Sequence, residues 1–416
     1  MLTFQQLYDR LLKASMEDRV PDELDKIHKD KFDPHQLDCL LHPELYPPVI
    51  RLNDCNCSQE EKAACAGNCV FDALSQDKNG NVNVNQDLCA GCGDCIEKCK
   101  AKNLTDRKDI LPMLEAVYKS KSPVYALIAP AFVNQFTSEV TPGKLRSAFK
   151  QIGFTGMVEL ALFADILTLK EALEFDKNII EEKDFQLTSC CCPIWIALIR
   201  KIYNQLMPYV PGSVSPMVAC GRSVKTLYPG ALTVFIGPCI AKKAEAKEKD
   251  IADAVDYVLT FQEVRDIFEL ADIDLAKLPE DERDYSSRTG RIYATTGGVS
   301  EAVQNTVKRL NPDRSLTLRA AQADGVPACK AMLNDILSGK ITNNFYEGMG
   351  CVNGCVGGPK ALISKEEGRK NVYSYGDEAT YLTPIDNPYV IELLHRLGFD
   401  TVESLLEHSD IFTRKF

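Results

Sequence analysis

The sequence predicts an α/β protein with a small, metal-stapled α+β module near its N-terminus. Three observations lead there. From about residue 110 onward, short apolar runs alternate with helical patterns. Eight of the seventeen Cys crowd into residues 51–105. That stretch contains little else from which to build a core, so it needs metal to hold it.

The chain has 416 residues, enough for two or three domains at ~150 residues each. Apolar residues make up 45% and charged residues 26%, the balance of a globular protein. With 48 basic against 59 acidic side chains, the formal net charge is −11. That disfavours a general nucleic-acid binder and a binder of anionic membranes. No apolar run reaches the ~18 residues a membrane helix needs. Met1-Leu2-Thr3-Phe4-Gln5-Gln6 lacks the charged-then-apolar pattern of a signal peptide, so a cytoplasmic location is expected.

Residues 1–50 read as a helical and loop extension. Phe4, Leu7, Leu11 and Leu12 have helical spacing, and Pro34, Pro43, Pro47 and Pro48 follow. Its apolar stripe is a docking face without chemistry. Residues 51–110 form the cysteine module, in which Asp77-Lys78-Asn79-Gly80-Asn81-Val82 reads as a hairpin turn. Residues 111–416 form the large domain. Val124–Ala129, Leu232–Gly237 and Arg291–Ala294 look like its buried strands, and sites are expected at strand carboxyl ends.

Cysteine carries the chemistry. Beside seventeen Cys stand only five His: His28, His35, His42, His395 and His408. An odd, clustered set without an export signal argues for soft-metal ligation over disulfides. The scarcity of His leaves iron–sulfur or Cys-only zinc. Cys89-x2-Cys92-x2-Cys95-x3-Cys99 has the spacing of bacterial two-cluster ferredoxins, in which the fourth Cys reaches across to the other [4Fe–4S] cube. Lys100 stands where that pattern usually has Pro. The upstream set, Cys55-x-Cys57-x7-Cys65-x3-Cys69, ends like a ferredoxin motif but is respaced in its first half. The resemblance assigns Cys55, Cys57, Cys65 and Cys99 to one cube, and Cys89, Cys92, Cys95 and Cys69 to the other. The alternative is a pair of structural zinc sites, although zinc ribbons prefer paired C-x2-C knuckles.

Three further Cys segments lie far apart: Thr188-Ser189-Cys190-Cys191-Cys192-Pro193, Gly237-Pro238-Cys239-Ile240-Ala241-Lys242, and Met349-Gly350-Cys351-Val352-Asn353-Gly354-Cys355-Val356-Gly357-Gly358-Pro359. Each sets Cys beside a Pro or Gly turn, as expected where thiolates converge and backbone amides must approach. One Cys from each of the first two segments and the Cys351/Cys355 pair supply four ligands for a third cube. Cys39, Cys220 and Cys329 fit no cluster and read as buried thiols.

In order and spacing these segments resemble the signatures of iron-only, or [FeFe], hydrogenases. The resemblance covers roughly residues 85–416. Weaker matches lie at Ile128-Ala129-Pro130-Ala131, Ala164-Asp165-Ile166-Leu167, Thr296-Gly297-Gly298-Val299 and Asn387-Pro388. The triple Cys of the first signature and the shortened Cys355-Val-Gly-Gly-Pro359 resemble a divergent branch. The resemblance implies a two-lobed α/β catalytic domain behind a ferredoxin-like domain. Between the lobes it places an H-cluster, a [4Fe–4S] cube joined by one thiolate to a two-iron unit with CO, cyanide and a bridging dithiolate amine. Counting back from Pro193, Cys192 matches the first cube ligand, followed by Cys239 and Cys351. Cys355 matches the ligand bridging cube and two-iron unit. Lys242 matches the lysine that hydrogen-bonds a cyanide, and Ala129-Pro130 the backbone facing the other. Met349 matches a residue packing over the unit, and Glu245 the acidic position of the second signature.

For protons, Glu171 and Glu174 are spaced to share one helix face, and Glu171 lies twenty residues before Cys191. This resembles the family relay, with Cys191 as terminal thiol. The family's relay Ser falls on Pro211, so Ser213, a water or another path must substitute. By likeness to members with a TSCCCP loop, a shift of this loop lets Cys191 cap the open iron. Reversible inactivation by brief air exposure would follow; irreversible loss, with no capped state in the infrared, would contradict it.

The implied activity is 2H⁺ + 2e⁻ ⇌ H₂, with electrons from ferredoxin or flavodoxin and dedicated maturation proteins supplying the two-iron unit. Lys98, Lys100, Lys102, Arg107 and Lys108 are candidates for docking an acidic partner. Two alternatives are non-enzymatic or nearly so: a hydrogen sensor with weak turnover, and an iron–sulfur scaffold protein lacking the two-iron unit.

Overall fold

The computed structural model describes residues 1–188, 191–407 and 409–415. Eleven strands occur among them: β1 (Val49–Arg51), β2 (Leu74–Gln76), β3 (Val82–Val84), β4 (Leu104–Asp106), β5 (Val124–Ile128), β6 (Gly156–Glu159), β7 (Gln186–Leu187), β8 (Leu232–Gly237), β9 (Tyr257–Thr260), β10 (Ala320–Asp324) and β11 (Phe345–Met349). Two parallel sheets dominate, ordered β6-β5-β8-β9 and β10-β11-β7. The cysteine-rich stretch has only two antiparallel ladders, β1–β4 and the β2–β3 hairpin. The hairpin turns where Asp77–Val82 predicts one.

The larger sheet is apolar on both faces, as parallel sheets flanked by helices are. Val124, Ala126 and Ile128 of β5 and Val234 and Ile236 of β8 enter one core; Leu127 and Phe235, between them, enter another. The first core also takes the stripe of helix Phe4–Met16. Phe4, Leu7, Tyr8, Leu11 and Leu12 pack with Ile110, Leu111, Met113 and Leu114. Thr3 and Gln6 close a capping box at the start of that helix.

One predicted strand is helical. Arg291–Ala294 ends helix Arg288–Arg291 and turns through the 3₁₀ segment Ile292–Ala294. Ser287 caps it by accepting a hydrogen bond from the Gly290 amide, and Arg291 is tied to Ser286 and to the Tyr375 carbonyl. A short apolar run has no period with which to tell a strand from a buried turn. Two of the weaker sequence matches meet nearby: Asp165 accepts from the Ser287 backbone amide at 2.6 Å and from Asn387 Nδ2 at 3.5 Å.

Both sheets aim their carboxyl ends at the same region. Ala129-Pro130 follows β5, Pro238-Cys239 follows β8, Cys191-Cys192 lies beyond β7, and Gly350-Cys351 follows β11. Close packing joins the first and third cysteine segments. A Cβ on Gly348 would lie 2.0 Å from the Trp195 ring, and one on Gly350 would lie 2.5 Å from Ile194. Glycine is required at both positions for helix Pro193–Lys201 to seat on β11. No described helix is long and apolar enough to cross a membrane.

Candidate active site

A cavity of about 1090 Å³ lies between the cysteine-rich stretch and the second sheet. Cys57, Cys65, Cys69, Cys89, Cys92, Cys95 and Cys99 line it, and Cys351 lines its far side. Burial raises the Cys65 thiol, followed by the influence of Cys99, Cys57 and Cys55. Burial likewise pushes Cys95 up to about 12, and its further neighbours are Cys92, Cys89 and Cys69. Cys65 and Cys95 thus have different sets of cysteine neighbours. Backbone amides reach the sulfurs: Ala73 N donates to Cys69 Sγ at 3.4 Å and Asn103 N to Cys99 Sγ at 3.2 Å.

A third group lies deeper. Burial raises Cys351 well above the ordinary thiol range, followed by Cys239, Cys192, Cys355 and then Cys92. The four thiols of the widely separated signatures therefore share one neighbourhood, with Cys92 of the outer stretch next to it. Gly350 N donates to Cys192 Sγ at 3.2 Å. Among the described residues, no three His, Cys, Asp or Glu side chains stand close enough to share one metal ion. The thiols border open space instead of converging on a point.

Beside this group is an inner cavity of about 70 Å³. Cys191, Cys192, Cys239, Cys351 and Cys355 line it together with Ala129, Pro130, Lys242, Tyr293 and Met349. Cys351 borders both cavities, whereas Cys355 borders the inner one alone. Lys242 is buried, with Nζ 2.6 Å from Glu245 Oε2. Burial would lower this ammonium, but Glu245 outweighs it and the net shift is upward. Burial drives the Cys191 thiol well up, reinforced by Cys192 and Glu171, so it is a neutral thiol at physiological pH.

Glu171 and Glu174 both lie on helix Ala161–Asn178. Glu171 is fully buried. Glu174 accepts from Lys170 Nζ at 2.5 Å, and the same ammonium contacts Ser213 Oγ at 2.9 Å. Ser213 therefore reaches Glu174 through Lys170. Ser189 and Cys190, on which the reading of the TSCCCP loop rests, lie outside the described residues. Cys39, Cys220 and Cys329 are buried in apolar cores, as the sequence suggests.

The docking candidates need correction. Lys98, Lys100 and Lys102 are exposed, the first paired with Asp94 and the second with Glu61. Arg107 and Lys108 point inward instead. Arg107 pairs with Asp109 at 2.7 Å and Lys108 with Asp106 at 3.1 Å. Arg107 is buried and Lys108 largely so, and side chains paired inward in this way present little charge to a partner. Their alternation with Asp106 and Asp109 is the signal that identifies them as internal.

Sequence reasoning missed three residues. Lys170, buried on helix Ala161–Asn178, was not singled out. Tyr293 fell within the expected strand Arg291–Ala294 and was given no role. Glu347, fully buried in β11, accepts from Gly297 N at 2.8 Å and from Ser300 N and Oγ at 2.7 Å, holding the start of helix Gly298–Leu310. A lone acid in a wholly apolar strand is the signal that finds it.

The family described as "Iron only hydrogenase large subunit, C-terminal domain" matches residues 122–359, more than half of the chain. The chain belongs to the iron-only hydrogenase family. Iron hydrogenase 1 of Clostridium pasteurianum is 30% identical over 275 residues, 56% of this chain and 48% of that protein. A probable cytosolic Fe–S cluster assembly factor of Anopheles gambiae is 25% identical over 301 residues, 60% of this chain and 62% of that one. The structure of a variant of the [FeFe]-hydrogenase HydA1 from Chlamydomonas reinhardtii superposes with a TM-score of 0.60 at 24% identity. That match covers 73% of this chain and 98% of the other. The chain spans 48–64% of the length of the three hydrogenases it matches. Among these relatives the iron-only hydrogenase family includes both hydrogenases and cluster assembly factors.

Proposed function

We propose that the protein is an [FeFe] hydrogenase catalysing 2H⁺ + 2e⁻ ⇌ H₂ at an H-cluster. The observation that carries this reading is the inner cavity. A bare cube, as in a scaffold protein, has no use for a buried ammonium, a neutral thiol and an apolar chamber beside its ligands. Lys242, Cys191 and Met349 supply all three. Thiols spaced around open volume also suit cubes several ångströms across better than zinc, which draws its sulfurs to ~2.3 Å from one ion.

In this reading Cys192, Cys239, Cys351 and Cys355 would hold the third cube, with Cys355 as the residue that would also hold the two-iron unit. When bound, that unit supplies a Lewis-acidic iron beside a basic amine. The chain does the rest. Lys242, held by Glu245, offsets the negative charge of the cofactor. The backbone of Ala129 and Pro130 and the Met349 thioether exclude water. Cys191 holds a proton at Sγ, replenished through Glu171 and Glu174. Cys55, Cys57, Cys65 and Cys99 would hold one ferredoxin-type [4Fe–4S] cluster and Cys69, Cys89, Cys92 and Cys95 the other, and these would supply the path for electrons. Cys92 and Cys351 border the same cavity at the last step inward. Ferredoxin or flavodoxin is the proposed donor, met by Lys98, Lys100 and Lys102 in the cytoplasm.

The test is hydrogen evolution from a reduced dye by the anaerobically matured protein. Cys191→Ala and Glu171→Gln are expected to lower turnover by ~10²- to 10⁴-fold, the usual worth of a positioned proton carrier. Both should keep their cubes by electron paramagnetic resonance. A matured wild type that holds three cubes yet evolves no hydrogen would favour the scaffold reading, which the resemblance to an assembly factor makes the main alternative.

A further inference from the structure

The inner cavity is lined by carbon and sulfur except at few points. Several side-chain nitrogen and oxygen atoms among the described residues are buried without a hydrogen-bond partner; two of them belong to its lining, Lys242 Nζ and Tyr293 Oη. Lys242 Nζ is close enough to Glu245 for an ion pair but is not aligned as a hydrogen bond. Both groups are donors. They come from different elements, Lys242 from helix Ala241–Glu245 and Tyr293 from the 3₁₀ turn Ile292–Ala294.

Tyr293 is 5% exposed, and Ile292 and Ala294 beside it are wholly apolar. Phenylalanine would fill the same space without burying an unpaired hydroxyl, which is costly in a dry site. The charged and titratable groups around it are Glu171, Cys191 and Glu347. Its hydroxyl stays neutral, so at any working pH it can donate. Glu347 is already engaged by Gly297 and Ser300. Thr168, the neighbouring hydroxyl, donates its own proton to the Ala164 carbonyl at 2.7 Å, and Tyr293 Oη makes no hydrogen bond to Glu171 or Cys191, which leaves the cavity as the place for its acceptor.

We propose that Tyr293 Oη donates a hydrogen bond to a diatomic ligand, carbonyl or cyanide, of the group that fills the cavity, as a second donor alongside Lys242. The inference rests on the hydrogenase reading and adds a residue to it. The two donors would fix the unit from two walls, and Tyr293 would withdraw electron density from the ligand it touches.

The experiment is infrared spectroscopy of wild type and Tyr293→Phe, both matured with the two-iron unit, in H₂O and in D₂O. The substitution keeps the ring, and unchanged cube absorption and thermal midpoint establish that the variant is folded. The expected result is the same number of CO and cyanide bands, with at least one displaced. The small H₂O/D₂O shift of that band in wild type should vanish in the variant. A folded variant with intact cubes that no longer takes up the unit would also support the contact. Superimposable spectra in both solvents would overturn it. A wild type without bands, beside a control hydrogenase that matures, would instead sink the hydrogenase reading itself.

Discussion

Cys355→Ala is expected to abolish hydrogen turnover while leaving the outer two cubes in place. The reason lies in where its thiol stands. Cys351 borders both cavities, but Cys355, like Cys192 and Cys239, borders only the inner one, and by the family resemblance Cys355 is the one of these that would join the third cube to the two-iron unit. It sits in a 3₁₀ turn entered through Gly354, whose φ of +81° only glycine adopts readily. Burial, followed by Cys192 and Cys239, pushes its thiol up to about 12. Metal binding at Cys355 would therefore release its proton. Hydrogen evolution should fall below detection, with iron analysis showing about eight irons retained in the two outer clusters by [4Fe–4S] stoichiometry, ~4 per cube. Turnover at even a tenth of wild type would mean that Cys355 does not bridge.

Asp106→Asn is expected to produce the largest loss of stability. Asp106 ends β4, in the cysteine-rich stretch, and is fully buried. Its carboxylate meets Lys360 at 2.7 Å, Lys108 at 3.1 Å and Lys243 at 3.8 Å. Lys243 also pairs with Glu263 at 2.9 Å. Lys243 immediately follows Lys242, and Lys360 immediately follows Pro359, so one carboxylate ties the electron-carrying module to the second and third signatures. Removing its charge takes one partner from the fully buried Lys243 and a partner each from the partly exposed Lys108 and Lys360, a loss of up to ~3–5 kcal/mol. Burial alone would raise this carboxyl, but Lys108, Lys243 and Lys360 outweigh it and hold it well below the ordinary value of 3.8. A depressed folded value means that the stabilisation is present at pH above that ordinary value and is lost as pH falls toward the folded one. The gap between wild type and variant should stay constant from pH ~8 to ~5 and narrow below ~4. Denaturant midpoints across that range read it directly. A gap that widened in acid would contradict the assignment.

How much of this was legible in the sequence depends on the kind of signal. β5 and β8 are mostly apolar runs closed by Pro or Gly, and they appear where the sequence puts them. Arg291–Ala294 is too short to carry a period and folds as a turn held by Arg291. The cysteine groups are readable because ligand spacing is written in the chain. Their convergence follows only from the parallel sheets pointing their carboxyl ends at one place. Arg107 and Lys108 misled because a basic run looks alike whether it faces solvent or a buried carboxylate. Tyr293 was hidden for the opposite reason: an aromatic in an apolar segment reads as packing, and only the unpaired hydroxyl on a cavity wall distinguishes it.

The central claim is that the inner cavity holds a two-iron unit, and the most direct measurement is an anaerobic infrared spectrum of the protein matured with that unit, beside a known hydrogenase. The account predicts CO and cyanide bands that shift under hydrogen. A spectrum without such bands, with the control fully matured, would contradict it and leave a protein of cubes alone.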